Sequence, residues 1–167
     1  MQSERDAAAQ RLRGYRDSLR ARGLAVRETY IEHGDYQQAS GADATRRLLA
    51  LDQPPTAIFA AGDAMALGTI HAAQDLGLAV PGDLPVVGFD DLPVAAASRP
   101  ALTTVRQALA HLGEVAVQHL VQLAQGNVPP VPAPFPTVLV TRESTAPPPP
   151  RHESPQNPVS HGQRAGQ

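Results

Sequence analysis

The chain has 167 residues, 42% hydrophobic but only 4% aromatic, and a formal net charge of −2. That allows one ordinary domain with a core of Leu, Val, Ile and Ala, and the charge gives no sign of a nucleic-acid or membrane surface. There is no Cys, which excludes disulfides, thiolate chemistry and Cys-ligated metals.

The first residues lack an apolar signal segment, and no run approaches the roughly 20 apolar residues of a membrane span. A cytoplasmic protein without membrane contact is therefore the expectation. Residues 3–22 predict an amphipathic helix, with Ala8, Leu12, Tyr15 and Leu19 on one stripe, Ser3 as N-cap and Asp6 in the capping-box position. Gly23 is a natural stop. Residues 24–31 read as a strand, on Leu24, Val26 and Tyr30. His33, Gly34, Asp35 and Tyr36 break it, and residues 40–52 read as a second helix that Pro54 and Pro55 end. Residues 56–91 then read as strand, helix, strand. Two short apolar runs, 56–61 and 84–89, each end in Gly plus Asp, and the helix between them starts at Asp63. Two buried-type strands joined by a helix make a parallel pair. Residues 92–100 look irregular and 102–105 form a short β-type run. Residues 108–125 are a clear helix, 128–136 a Pro-rich connector, 137–141 (TVLVT) a last strand, and 146–167 a disordered Pro-rich tail.

Alternating helices and strands imply an α/β fold, a parallel sheet covered on both faces. In such sheets ligands bind at the carboxyl ends of the strands. No catalytic or cofactor motif is present: there is no GxSxG, Walker loop, GxGxxG or HExxH. No catalytic residue, cofactor or metal ligand is expected. Binding chemistry is better supplied. A polyol needs carboxylates and Arg to fix its hydroxyls and a flat apolar face to stack on. Asp35, Tyr36, Asp63 and Asp90 stand at the strand tips, and Arg11 offers a donor fork. Asp63 reads equally as a helix cap, and Arg11 as a solvated surface residue.

Six blocks in order over residues 5–145 resemble the effector-binding core of LacI/GalR-family transcriptional repressors. They are RLRGY from Arg11, GDY from Gly34, and PTAIF from Pro55 followed by GDAMALG from Gly62. VPGDL from Val80 with VVGFDD from Val86, PALTTVRQ from Pro100, and VLV from Val138 with REST from Arg142 complete the series. The resemblance implies a periplasmic-binding-protein-like fold, Rossmann-like subdomains around a small-molecule cleft, and no enzyme activity. By matching position it implies effector contacts from Arg11, Tyr36, Asp90 and Gln107, with Asp63 capping a helix or facing the cleft. It implies a dimer surface on the helix that carries Leu67, Ile70 and His71. Gly62 stands where the family often has Asn or Ser, and Leu109 where some relatives carry an aromatic.

The resemblance also implies an incomplete fold, starting after the first strand of the C-terminal subdomain, with the N-terminal subdomain and helix-turn-helix missing. Residues 1–106 would be the C-terminal subdomain, 107–127 a helix that normally packs in the N-terminal subdomain, and 137–145 a returning strand. The implied role is ligand-controlled repression with a sugar or related polyol as effector. The chain would act as a homodimer or pair with a full-length relative, and operator DNA would be reached only through the missing segment. The alternative is a stand-alone sugar-binding module or a dominant-negative fragment.

Overall fold

A computed structural model describes residues 2–147. The helix α1 (Gln2–Ala21) opens the chain. It is followed by a single 3-10 turn (Glu28–Tyr30), then α2 (Gln38–Leu49), β1 (Ile58–Phe59), α3 (Asp63–Asp75) and β2 (Val86–Asp90). The short α4 (Pro93–Ala97), β3 (Thr103–Arg106), α5 (Leu109–Ala124) and β4 (Val138–Val140) complete it. The four strands lie in the order β1-β2-β3-β4. The first three are parallel; β4 returns antiparallel to β3. The sheet is therefore mixed at one edge rather than wholly parallel.

The core sits on one face of this sheet. Along a strand, side chains alternate faces. Ala60, Val86 and Leu84 turn toward α3 and join Ala66, Leu67, Ile70, Ala73, Ala95 and Leu102 in one buried cluster. α2 packs directly on α3 at very close range. A Cβ on Gly68 would lie 1.9 Å from the Gln38 carbonyl oxygen, and one on Gly41 2.2 Å from that of Met65. Only bare backbone fits there. The buried Thr45 hydroxyl bridges the two helices, 3.0 Å from that of Thr69. The opposite face carries Phe59 and Phe89, ring centroids 6.5 Å apart.

Ser144 fastens the amino ends of the strands. Its hydroxyl donates to the Val86 carbonyl (2.6 Å) and accepts from the Thr103 N–H (2.8 Å), while its own carbonyl accepts from the Val86 N–H. The side chain is fully buried because it replaces ladder bonds that no strand supplies there.

The sequence and the structure part in several places. Residues 24–31 do not form a strand. They hold the 3-10 turn, whose flanking residues Arg27 and Ile31 are extended but bond only within the turn and to no strand. A strand exists only where an edge pairs with it, and β1 is the last strand on that side. Residues 92–100 contain a helical turn, α4, started by Pro93 at its first position. α5 exposes its whole apolar face, Leu120 at 64% among it. The capping groups expected at Ser3 and Asp6, and the tail from residue 148, lie outside the described side chains and residues.

Adding a methyl at Gly68 forces α2 off α3. Gly68→Ala is expected to lower stability by about 2–3 kcal/mol in urea unfolding, as overpacking against rigid backbone does. Gly14, mid-helix on α1 with nothing within 4 Å of an added Cβ, is the control. Gly14→Ala is expected to raise stability by up to about 1 kcal/mol.

Candidate functional site

The carboxyl ends of β1 and β2 form the site, and the buried Asp63 builds it. Gly62, with extended backbone, is the N-cap of α3, and no side chain caps that helix. Asp63 is therefore not the helix cap the sequence suggested. Its side chain turns beneath the sheet edge. One carboxyl oxygen accepts from the Thr104 hydroxyl (2.5 Å), the other from the Leu92 N–H (2.7 Å). Gly88 makes room, since a Cβ there would lie 2.5 Å from that first oxygen.

Held by Leu92, the chain leaves β2 through two left-handed residues, Asp90 (φ 115°) and Asp91 (φ 58°). Their side chains go opposite ways. Asp91 sits in a fork of two arginines: Arg142 donates at 2.6 Å and Arg106 at 2.5 Å. Burial disfavours its charge, but these hydrogen bonds outweigh that and hold its pKa below the usual carboxylate range. Arg142 also donates to the Leu102 carbonyl (2.7 Å), so the clamp ties the β2 exit to β3.

Asp90 faces the cleft. Its Oδ1 accepts from Gln107 Nε2 (2.6 Å) and lies 3.8 Å from the Arg11 guanidinium. Partial burial pushes its pKa up, and the Gln107 hydrogen bond and the Arg11 charge only partly offset this. Arg11 crosses from α1. It donates to the Ala61 carbonyl (2.7 Å) and stacks 3.9 Å over the Phe89 ring. Tyr36, at φ 65°, sets its ring 5.9 Å from the same guanidinium. Asp35 holds that turn rather than the cleft: its carboxylate accepts from the Gln37 N–H (2.9 Å).

Arg11, Tyr36, Asp90 and Gln107 thus come together in one cluster with a charged fork, a carboxylate, an amide and two aromatic faces. One member is not legible as a site residue in the sequence. Phe89 sits inside the VVGFDD block, where the sequence marks it only as the end of an apolar run. Gly62 matters sterically: a Cβ there would stand 3.3 Å from Tyr36 and 3.7 Å from Asp90. Glycine leaves that space to the cleft. Leu109 stands exposed at the start of α5. Of the expected dimer residues, Leu67 (9% exposed) and Ile70 (1%) belong to the chain's own core and offer no surface. α3 is buried nearly all round, against α2 and the sheet at once. His71 remains outside, its Nδ1 2.7 Å from Gln38 Nε2. Among the described residues no cluster of His, Cys, Asp or Glu could hold a metal ion, and no helix is long and apolar enough to cross a membrane.

Asp63→Ala removes the acceptor of the buried Thr104 hydroxyl and of the part-buried Leu92 N–H. It is expected to cost about 2–4 kcal/mol in thermal unfolding, the range for orphaning groups bonded to a carboxylate. Thr104→Val is expected to cost less than half as much.

The periplasmic binding protein-like domain model matches residues 1–145. Catabolite control protein A of Priestia megaterium is 47% identical over 112 residues, 67% of this chain and 34% of that protein. The transcriptional repressor PurR of Erwinia tasmaniensis is 42% identical over 119 residues, 71% of this chain and 35% of that one. A solved complex of the transcriptional regulator CelR with cellobiose superposes with a TM-score of 0.75 at 36% identity, over 81% of this chain and 42% of that one. The chain spans about a third of the length of these curated relatives. It belongs to the periplasmic binding protein-like domain family, and the relatives it matches include LacI-type transcriptional regulators.

Proposed function

We propose that the chain is the effector-binding and dimerisation portion of a ligand-controlled repressor, and that its effector is a sugar or related polyol. The observation that carries this is the Arg11–Phe89–Asp90–Gln107 cluster at the carboxyl edge of the sheet. Arg11 and Gln107 are donors already aimed at one carboxylate. A ligand hydroxyl inserted between them would accept from Arg11 and donate to Asp90, and each such charge-assisted bond is stronger than a neutral one. Phe89 and Tyr36 supply apolar faces for the ring of a sugar or nucleoside. The cellobiose held by the regulator CelR is a ligand of this chemistry.

In this reading residues 1–106 form the subdomain that carries the site. Gln107 stands at the crossover into α5, whose exposed apolar face would be covered by a second subdomain. Operator DNA would be contacted by a segment outside these 167 residues, so the chain alone should not bind a specific sequence. Dimerisation, with itself or with a full-length relative, would use the outer side of α3 around His71. No step here makes or breaks a covalent bond, and the role proposed is that of a binding module rather than an enzyme.

The test is calorimetric titration of the chain with cellobiose, monosaccharides and nucleosides. One of these is expected to bind, and Asp90→Asn or Arg11→Met to weaken it about 10- to 100-fold, the loss of one or two charge-assisted bonds. Binding by none, or unchanged affinity in both variants, contradicts the proposal, as does a sequence-specific mobility shift by this chain alone. The raised pKa of Asp90 adds a pH signature. Its ionised form is the hydroxyl acceptor, so binding is complete above that pKa and is lost as pH falls through it. The loss is expected at higher pH than an ordinary aspartate would give, and to vanish in Asp90→Asn.

A further inference from the structure

Two groups of side chains stand back to back across the exits of β2 and β3. Asp90 and Arg106 are register partners in the parallel ladder. The side-chain bonds then cross: Asp90 accepts from Gln107, and Asp91 accepts from Arg106. Each exit thus gives one residue to the cleft, Asp90 or Gln107, and its neighbour to the clamp, Asp91 or Arg106. Asp91 turns away from the cleft, so contact with an effector does not account for its two arginines.

Arg142 is fixed without Asp91. Its N–H donates to the Thr103 hydroxyl (2.8 Å), its carbonyl accepts from the same hydroxyl (3.2 Å), and its guanidinium donates to the Leu102 carbonyl (2.7 Å). The guanidinium is a preset peg, and Asp91 is hung on it. The side chains of this pair are only 17% and 8% exposed. Exposed ion pairs such as Arg46 with Asp43 hold little in place, whereas a covered charge-assisted bond fixes geometry.

What needs holding is backbone. Asp90 and Asp91 are consecutive non-glycine residues at positive φ. That conformation is disfavoured for L residues and persists only where the surroundings impose it. Before them, Phe89 is still in the ladder opposite Val105; after them, the Leu92 N–H is taken by Asp63. Between these fixed points Asp91 has the anchored partner. The partner of Asp90, Gln107, is itself the neighbour of Arg106.

We propose that Asp91, held by Arg142 and Arg106, is a positioning residue of the effector site. It sets the backbone twist that aims Asp90 at the cleft, and with it the spacing of Asp90 from Gln107. This rests on the reading of Asp90 as an effector contact. Arg142 is the main anchor, and Arg106, whose side chain is exposed, is the lesser arm. Because Arg142 lies just past β4, the returning edge of the sheet has a hold on the cleft carboxylate.

The test needs no ligand at first. The whole 15N-labelled chain is observed by NMR at the Gln107 side-chain amide, whose shift reports its bond to Asp90. In Asp91→Asn and in Arg142→Gln that signal is expected to move toward the free-amide position while the α3 amides, which report the fold, stay in place. The double variant is expected to move it no further than either single one, since both break one link. Arg106→Gln, a change at an exposed side chain that leaves the fold intact, is expected to give a smaller displacement in the same direction. A Gln107 signal that stays put in the folded variants, or displacements that simply add, would overturn the proposal. The same variants are then titrated calorimetrically with cellobiose, monosaccharides and nucleosides. Asp91→Asn is expected to weaken whichever binds the unaltered chain by about tenfold, the equivalent of one charge-assisted bond. Unchanged affinity would also overturn it. If none binds the unaltered chain, the reading of Asp90 as an effector contact fails by itself, and the Gln107 signal still decides whether Asp91 positions Asp90.

Discussion

The buried carboxyl group of Asp63 is the constraint on which the site depends. It lies beneath the end of the sheet only because Gly88 has no side chain and Thr104 offers a hydroxyl. By accepting from the Leu92 N–H it fixes where the chain goes after β2. That exit requires left-handed backbone at Asp90 and Asp91, a conformation that costs on the order of 1 kcal/mol at a non-glycine residue and persists only where the surroundings impose it. The result is a division of labour between two adjacent acids. Asp91 is spent on holding Arg106 and Arg142; Asp90 is left at the cleft with a raised pKa.

The same economy explains the helical layer. Gly41 and Gly68 bring α2 and α3 within backbone contact, and Thr45 and Thr69 satisfy one another in the dry seam. This packs one face of a small sheet without aromatic residues. The other face is left to Phe59, Phe89 and the guanidinium of Arg11. Arg11 thus serves two needs at once, covering an aromatic face and presenting charge at the strand ends.

Much of this was legible in the sequence, for physical reasons that differ by residue. The strand–helix–strand unit at 56–91 was readable because buried parallel strands are short apolar runs with turn residues at their ends. Arg11, Tyr36, Asp90 and Gln107 are far apart in the chain, and only their resemblance to a known pattern of blocks grouped them. What failed were statements about partners. Residues 24–31 have strand composition, but a strand needs a neighbouring edge. Asp63 has the residue type of an N-cap, yet its bonds go to residues 29 and 41 positions away. The resemblance implies a dimer surface at Leu67 and Ile70, and a block pattern does not reveal that α3 is enclosed from two sides. An aromatic that ends an apolar run, as Phe89 does, reads as core, and the pattern does not reveal its place at the cleft.

The most direct measurement is a 15N-labelled titration of the whole chain with hydroxyl-rich ligands, read residue by residue. The account predicts shifts at Tyr36, Gly62, Phe89, Asp90 and the Gln107 side-chain amide, moving together with one affinity. Shifts confined to α5 or to the outer surface of α3, with Asp90 and Gln107 unmoved by a ligand that binds, would contradict it.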